Sequence, residues 1–295
     1  MRRVIFSADD FGLSPAVNEA VEQAHREGLL GAASLMVAGP AAADAVRRAR
    51  ALPGLHVGLH LVLVEGNAAL PPAAIPDLVD ASGWFGSDQV RRGFAYALGA
   101  RRQLEAEIEA QFAAFAATGL ALDHANAHKH MHLHPVVAAL MIRIGRRYGL
   151  RALRIPAEPA APLAACGTRV GLGARALAAW SRVLRAQARR AGLVVNDHAF
   201  GIAWSGHMTA PRLAALARHL PEGLSELYFH PASRRDADLA RLMPDYEPEA
   251  ELAALLDPAV TAAFAAIPRT SYGAEADALS PATITPTSAS CPPTP

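Results

Sequence analysis

Segments with strand character and segments with helix character alternate from the start of the chain, and that alternation leaves few architectures open. Arg3 to Ala8 is a short apolar run, Ala16 to Glu27 has helical periodicity, Ala32 to Val37 reads as a strand, Ala41 to Ala51 as a helix and Leu55 to Leu63 as a strand. Ser14 is placed to cap the first helix and Pro15 to open it, where a missing N–H costs nothing. Farther along, Asn67 to Phe85 is a proline-rich excursion, Leu104 to Thr118 an amphipathic helix and Arg151 to Pro156 another strand. Strands joined through helices return to the same end of a sheet and pair in parallel, so a parallel α/β organisation is predicted. One domain is expected over residues 1–273. Residues 274–295, rich in Pro, Ser, Thr and Ala and without apolar periodicity, are expected to be disordered.

Charge and cysteine content exclude several classes of function. The chain's 28 basic and 27 acidic residues leave a formal net charge of +1, so no general field favours nucleic acid. Cys166 and Cys291 have neither metal-ligand spacing nor the number that a disulfide framework needs. No apolar stretch reaches the length of a membrane span, and the first strand runs into Ser7-Ala8-Asp9-Asp10 without the apolar core of a secretory signal. A cytoplasmic protein is expected. Membrane-surface contact would fall to Ala174 to Leu193, where Leu177, Trp180, Val183 and Leu184 share a helical side and Arg175, Arg182, Arg185, Arg189 and Arg190 occupy the remainder. The same pattern also describes an ordinary packed helix with a solvated arginine face.

The densest chemistry lies between Asp123 and Pro135, a segment that holds five of the chain's twelve histidines. From His128 the pattern is His-x-His-x-His-x-His. In an extended segment His128, His130, His132 and His134 would project to one side, an arrangement suited to a divalent cation. Their span, roughly 20 Å at strand rise, is too long for all of them to reach one ion, so other ligands must come from elsewhere. One source is Asp9-Asp10-Phe11-Gly12, at the carboxyl end of the first strand, where α/β proteins usually keep their chemistry. Adjacent residues diverge, so one acid could bind metal while the other faces substrate; two solvated acids in a turn are the alternative. Another source is Gly54 to Leu63, with Val57, Leu59, Leu61 and Leu63 on one strand face and His56, Gly58 and His60 on the other.

Ala8-Asp9-Asp10-Phe11-Gly12, Gly58-Leu59-His60, Asn126-Ala127-His128-Lys129-His130-Met131-His132 and Glu226-Leu227-Tyr228-Phe229-His230-Pro231 stand in the order found in the YdjC-like carbohydrate deacetylases. The resemblance extends from residue 1 to about residue 270. The histidine run and Gly201-Ile202-Ala203-Trp204-Ser205-Gly206 are similar to the branch associated with hopanoid biosynthesis. The resemblance implies a distorted TIM-like (β/α) barrel of about seven strands. A chain of 295 residues, 52% of them hydrophobic, has enough material for such a core. It also implies removal of the N-acetyl group from an amino sugar with one divalent metal ion. Carried over by position, Asp10, His60 and His128 are the metal ligands, Asp9 the general base and His230 the acid. A two-histidine, one-carboxylate set suits Zn and also Fe, Co or Mn, whereas Mg usually takes more oxygen; Mg and Zn are the two candidates. Candidate substrate contacts are Arg154, Trp204 and His130. Arg154 could project from a strand end or form a surface ion pair, and Trp204 could wall the pocket or pack in the core. One departure from the family pattern is Asn126-Ala127-His128, where many relatives have Asp-Ser-His. It removes a carboxylate that could orient a histidine, although an amide oxygen can still accept the ring N–H.

An acetamide is a poor electrophile and an amine a poor leaving group, so such a site must activate water, stabilise an oxyanion and protonate nitrogen. The hopanoid branch implies an N-acetylglucosaminyl hopanoid as substrate, with peripheral membrane contact and a homodimer as further expectations. The wider family implies a soluble chito-oligosaccharide such as diacetylchitobiose. Two readings belong to other classes. One is a metal-independent carbohydrate hydrolase using Asp9 and Asp10, although adjacent carboxylates rarely bracket a glycosidic bond at the required separation. The other is a glycolipid-binding barrel without turnover.

Overall fold

The computed structural model describes residues 1–88, 93, 96 and 99–279. Its strands are β1 (Arg2–Phe11), β2 (Ala32–Leu35), β3 (His56–Leu61), β4 (Ala125–Ala127), β5 (Ala152–Leu153), β6 (Val194–Val195), β7 (His198–Phe200) and β8 (Gly223–Phe229). They form one eight-stranded sheet in the order β6-β5-β4-β3-β2-β1-β8-β7, and every neighbouring pair is parallel. Only Asn196 and Asp197 separate β6 from β7, so a single extended run supplies both ends of the order. Its first half pairs with β5 and its second with β8. The sheet therefore curls back on itself as a distorted barrel of seven extended runs, in agreement with the predicted fold. At the join the Asn196 side chain stands in for strand pairing, accepting the Ile155 N–H at 2.7 Å and donating to the Ile155 carbonyl at 2.8 Å.

Strand alternation sorts the inside from the outside. Val4, Phe6 and Ala8 of β1 face the helices and belong to the large apolar core with Phe229 and Phe264. Ile5 points inward and clusters with Ala32, Ala152, Leu224 and Tyr272 at the amino-terminal end of the barrel. One step toward the carboxyl ends, the inward positions become polar: Ser7, Ser34 and Glu226 are fully buried. The barrel interior thus changes from apolar to polar toward the end where the loops carry Asp9, Asp10 and the histidines.

Local expectations are met in several helices. Ser14 accepts the Val17 N–H at 3.3 Å and opens Pro15–Glu27, and Arg101–Ala117 buries Leu104, Ile108, Phe112 and Phe115. Three expectations are corrected. First, the histidine run is not extended: β4 ends at Ala127, and His128–Leu133 is a tight 3-10 segment kinked at Lys129 (φ 49°) and His130 (φ 55°). The chain must reverse there to enter the helix Pro135–Arg147, so the four histidines point in different directions. Second, in the helix Leu172–Arg190, Leu184 is 3% exposed while Trp180 is 46% and Val183 44% exposed, so the apolar side is only partly packed. Third, ordered chain continues past residue 273. The helix Tyr272–Leu279 packs against the amino-terminal end of the barrel, with Tyr272 and Ala276 buried, Glu275 paired to Arg3 and Asp277 paired to Arg151, both at 2.5 Å. The rest of the expected disordered tail, residues 280–295 with Cys291, lies outside the described residues, and Cys166 is a free thiol. No helix among the described residues is long and apolar enough to cross a membrane.

Candidate metal centre and active site

The carboxyl ends of β1, β3 and β4 deliver three side chains to one point. The register between β1 and β2 shifts between Ala8 and Phe11, and within this irregularity Asp10 takes a left-handed backbone, φ 61°. That twist separates two consecutive acids, sending Asp9 along the barrel interior and Asp10 toward the histidines. Asp10 Oδ1 lies 3.0 Å from His128 Nδ1 and 3.2 Å from His60 Nε2, and the two ring nitrogens are 3.3 Å apart. Edges of that length are what donor atoms about 2.0–2.1 Å from a common ion span at tetrahedral or octahedral angles. Asp10 Oδ2 is buried without a hydrogen-bond partner among the described residues.

Electrostatics at this point also call for a cation. His60 Nδ1 lies 2.7 Å from Asn126 Oδ1, so it carries the hydrogen and directs the Nε2 lone pair at Asp10 and His128. Burial pulls the His60 imidazole down, but Asp9 and Asp10 raise it above its usual range. Two carboxylates therefore attract positive charge to the centre of the triangle, and Asp10, His60 and His128 could hold a metal ion there.

Asp9 has a different setting. Arg154, just past β5, donates to Asp9 Oδ2 at 2.5 Å and to Oδ1 at 2.9 Å, and also binds Glu226 at 2.8 Å and Ser7 at 3.2 Å. Asn126 Nδ2 donates to Asp9 Oδ1 at 3.1 Å. Burial pushes the Asp9 carboxyl up, but the charge and hydrogen bonds of Arg154 together with the charges of His60 and His230 hold the group well below the usual carboxylate range. Asp9 and Asp10 both line a cavity of about 290 Å³, whose apolar lining includes Leu13, Met36, Leu242 and Met243. His230, at the end of β8, lines it as well. Its Nδ1 is buried without a partner among the described residues, and burial lowers its pKa.

The model of the YdjC-like protein family matches residues 3–266. The chain belongs to that family. A carbohydrate deacetylase of Geobacillus stearothermophilus is 40% identical over 159 residues, which cover 54% of this chain and 60% of that protein. One from Brevibacillus brevis is 37% identical over 147 residues, covering 50% and 56%. Against these relatives the match spans little more than half of their length. One from Thermoanaerobacter pseudethanolicus is 26% identical over 234 residues, covering 79% and 82%. An Enterococcus faecalis V583 protein named for cellobiose-phosphate cleavage has the same fold, with a TM-score of 0.72 at 22% identity over 92% of this chain and 97% of that one.

In this YdjC-like protein the predicted residues separate into two groups. Asp9, Asp10, His60, His128, His130 and His230 all line the cavity. His130 Nε2 lies 3.1 Å from the Tyr228 hydroxyl, and burial, followed by the charge of Arg154, lowers its pKa to about 3. Arg154 and Trp204 do not line it. Arg154 is 0% exposed and engaged by Asp9 and Glu226, so it is neither a surface ion pair nor a substrate contact. Trp204 is 2% exposed and donates its indole N–H to Thr168 Oγ1 at 2.9 Å; its neighbours Ile202 and Ser205 reach the cavity in its place. The loop is held by Glu158, which accepts the N–H groups of Gly201, Ile202 and Ala203. Sequence reasoning missed Tyr228, Glu226 and Ser34. A glutamate inside the apolar strand Gly223–Phe229 was a usable signal, since a buried carboxylate needs a cation.

Proposed function

We propose that this YdjC-like protein is a metal-dependent hydrolase that removes the N-acetyl group from an N-acetylglucosamine-containing substrate. The observation that carries this reading is the buried triangle of Asp10, His60 and His128 opening on a cavity beside the ionised Asp9. Relatives named carbohydrate deacetylases support it. Two histidines and one carboxylate favour Zn over Mg. A divalent ion held by the three residues would supply Lewis acidity, polarising an acetamide carbonyl and acidifying water.

The protein's own groups manage the protons. Asp9 is the proposed acceptor of the water proton, anchored by Arg154 and Asn126 at its back so that it does not move toward the metal ligands. His230 is the proposed donor to the departing amine. A second reading is favoured by the bidentate Arg154 contact, which weakens Asp9 as a base, and by the lowered pKa of His230, which leaves the ring uncharged near neutrality. There His230 takes the proton and passes it to nitrogen, while Asp9 supplies fixed negative charge. Removing the Asp9 carboxylate with Asp9→Asn distinguishes them: the first reading expects a loss of about 10²–10⁴ in kcat, the second a smaller loss with the His230 limb of the pH profile retained.

The apolar wall of Leu13, Met36, Leu242 and Met243 supports a substrate with a hydrocarbon aglycone beside the sugar, hence an N-acetylglucosaminyl hopanoid. Exposed Trp180 and Val183 beside Arg175 and Arg182 support peripheral contact with an anionic membrane. Acetate release from N-acetylglucosaminyl hopanoid and from diacetylchitobiose, with metal content measured on the same preparation, tests the proposal. No release from either substrate by metal-loaded protein would refute deacetylation; equal or faster turnover of the soluble sugar would refute the lipid.

A further inference from the structure

Behind His60, on the side away from the cavity, Asp123, His124, Ser34 and Asn126 form a buried row that leads to the metal centre. None of the four lines the cavity. Their hydrogen bonds have one self-consistent direction. Asp123 is fixed by the Gly273 N–H at 2.7 Å, and its other oxygen lies 2.9 Å from His124 Nδ1. A carboxylate can only accept here, so His124 places its hydrogen on Nδ1 and offers Nε2 as an acceptor. The Ser34 hydroxyl, 3.0 Å away, donates to that nitrogen. Ser34 Oγ then accepts from Asn126 Nδ2 at 2.9 Å, and the second amide hydrogen goes to Asp9 Oδ1 at 3.1 Å. Both amide hydrogens are thereby used, and Asn126 Oδ1 is left to accept the His60 Nδ1 hydrogen at 2.7 Å.

Reversing the amide would aim its oxygen at the Asp9 carboxylate and its hydrogens at a ring N–H, two repulsions in a site without water-like screening. Space for the row comes from Gly58, where an added Cβ would stand 2.6 Å from the His124 ring. We propose that Asp123 and His124 are positioning residues which, through Ser34, fix the Asn126 amide and with it the His60 tautomer that presents Nε2 to the metal. The proposal rests on the reading of Asp10, His60 and His128 as a metal centre.

The test uses full-length protein with ¹⁵N-labelled histidine. The ring-nitrogen resonances of His124 are read in metal-free protein and those of His60 in zinc-loaded protein, and zinc affinity is measured by competition with a chelator. Both rings are expected to carry hydrogen on Nδ1. Ser34→Ala, which removes one hydroxyl, and Asp123→Asn are each expected to lower zinc affinity about 10- to 100-fold in folded protein. A purely structural role would lower the melting temperature and leave zinc affinity at the wild-type value; that outcome, or hydrogen on His124 Nε2, would overturn the positioning proposal while leaving the metal centre intact. If wild-type protein took up no zinc although His124 had the expected tautomer, the metal reading itself would fail, and the proposal with it.

Discussion

Asp10, His60 and His128 make a prediction that each can fail separately. Asp10→Asn, His60→Ala and His128→Ala should each lose most bound metal in protein that remains folded, as read by elemental analysis; full occupancy in one variant would remove that residue from the set. Arg154 is predicted to matter for stability. Arg154→Met leaves Asp9 and Glu226 buried without their partner, and unfolding measurements should show a loss of about 3–5 kcal/mol. Glu251 gives a prediction with a defined sign. Its carboxyl is 0% exposed, accepts the Met208 and His230 N–H groups, and is pushed up from 4.5 to about 7, chiefly by burial. Its folded pKa lies above the unfolded one, so its contribution is full below about pH 4.5 and is lost as pH rises toward 7. At 1.36 kcal/mol per pKa unit, this is on the order of 3 kcal/mol. Glu251→Gln cannot titrate, so the stability difference should move toward the variant by that order between those pH values; a constant difference would refute it. The acids and histidines of the centre were visible as motifs, whereas Arg154 was misread because its partners Asp9 and Glu226 lie 145 and 72 positions away in sequence. Nothing local distinguishes such an arginine from a surface one.

Strand and helix periodicity carried most of the architecture, and it failed where two periodicities give the same pattern. Alternating histidines from His128 to His134 fit an extended strand, yet the left-handed Lys129 and His130 fold that stretch into a turn. Left-handed backbone is usually signalled by Gly or Asn, and Lys and His give no such cue. The end of the domain was hidden differently: a window from Ala274 onward averages the Pro, Ser and Thr of the last residues with the packed Glu275 and Ala276. Cutting after Gly273 should therefore lower the melting temperature, by about 2–4 °C for each kcal/mol lost, through removal of the Arg3–Glu275 pair and the buried Ala276. Cutting after Leu279 keeps this helix whole and should leave the melting temperature closer to that of the full chain than the first cut does. Thermal melts of both truncations decide the point, and an unshifted melt after the first cut would show that this helix adds nothing.

For the molecule as a whole, the barrel class and the family were legible from four ordered motifs, while the inner polar layer required the closed sheet to bring β5, β8 and β1 together. Substrate choice belongs at this level, since the cavity wall is assembled from separate loops. Leu242→Asp should reduce kcat/KM on N-acetylglucosaminyl hopanoid more than on diacetylchitobiose, and an equal loss on both would remove the apolar wall from substrate selection. The shared run of β6 and β7 has a mechanical consequence. A hoop opens at its clasp first: past the end of β5 the Asn196 amide takes the Ile155 N–H and shares the Ile155 carbonyl with the Ala157 N–H. Deuterium should reach the Ile155 amide before those of β1 and β8. Asp10 and His60 lie on β1 and β3 and His128 just past β4, none of them on the run that carries Asn196, so the barrel can breathe at the clasp while the candidate metal centre stays shut.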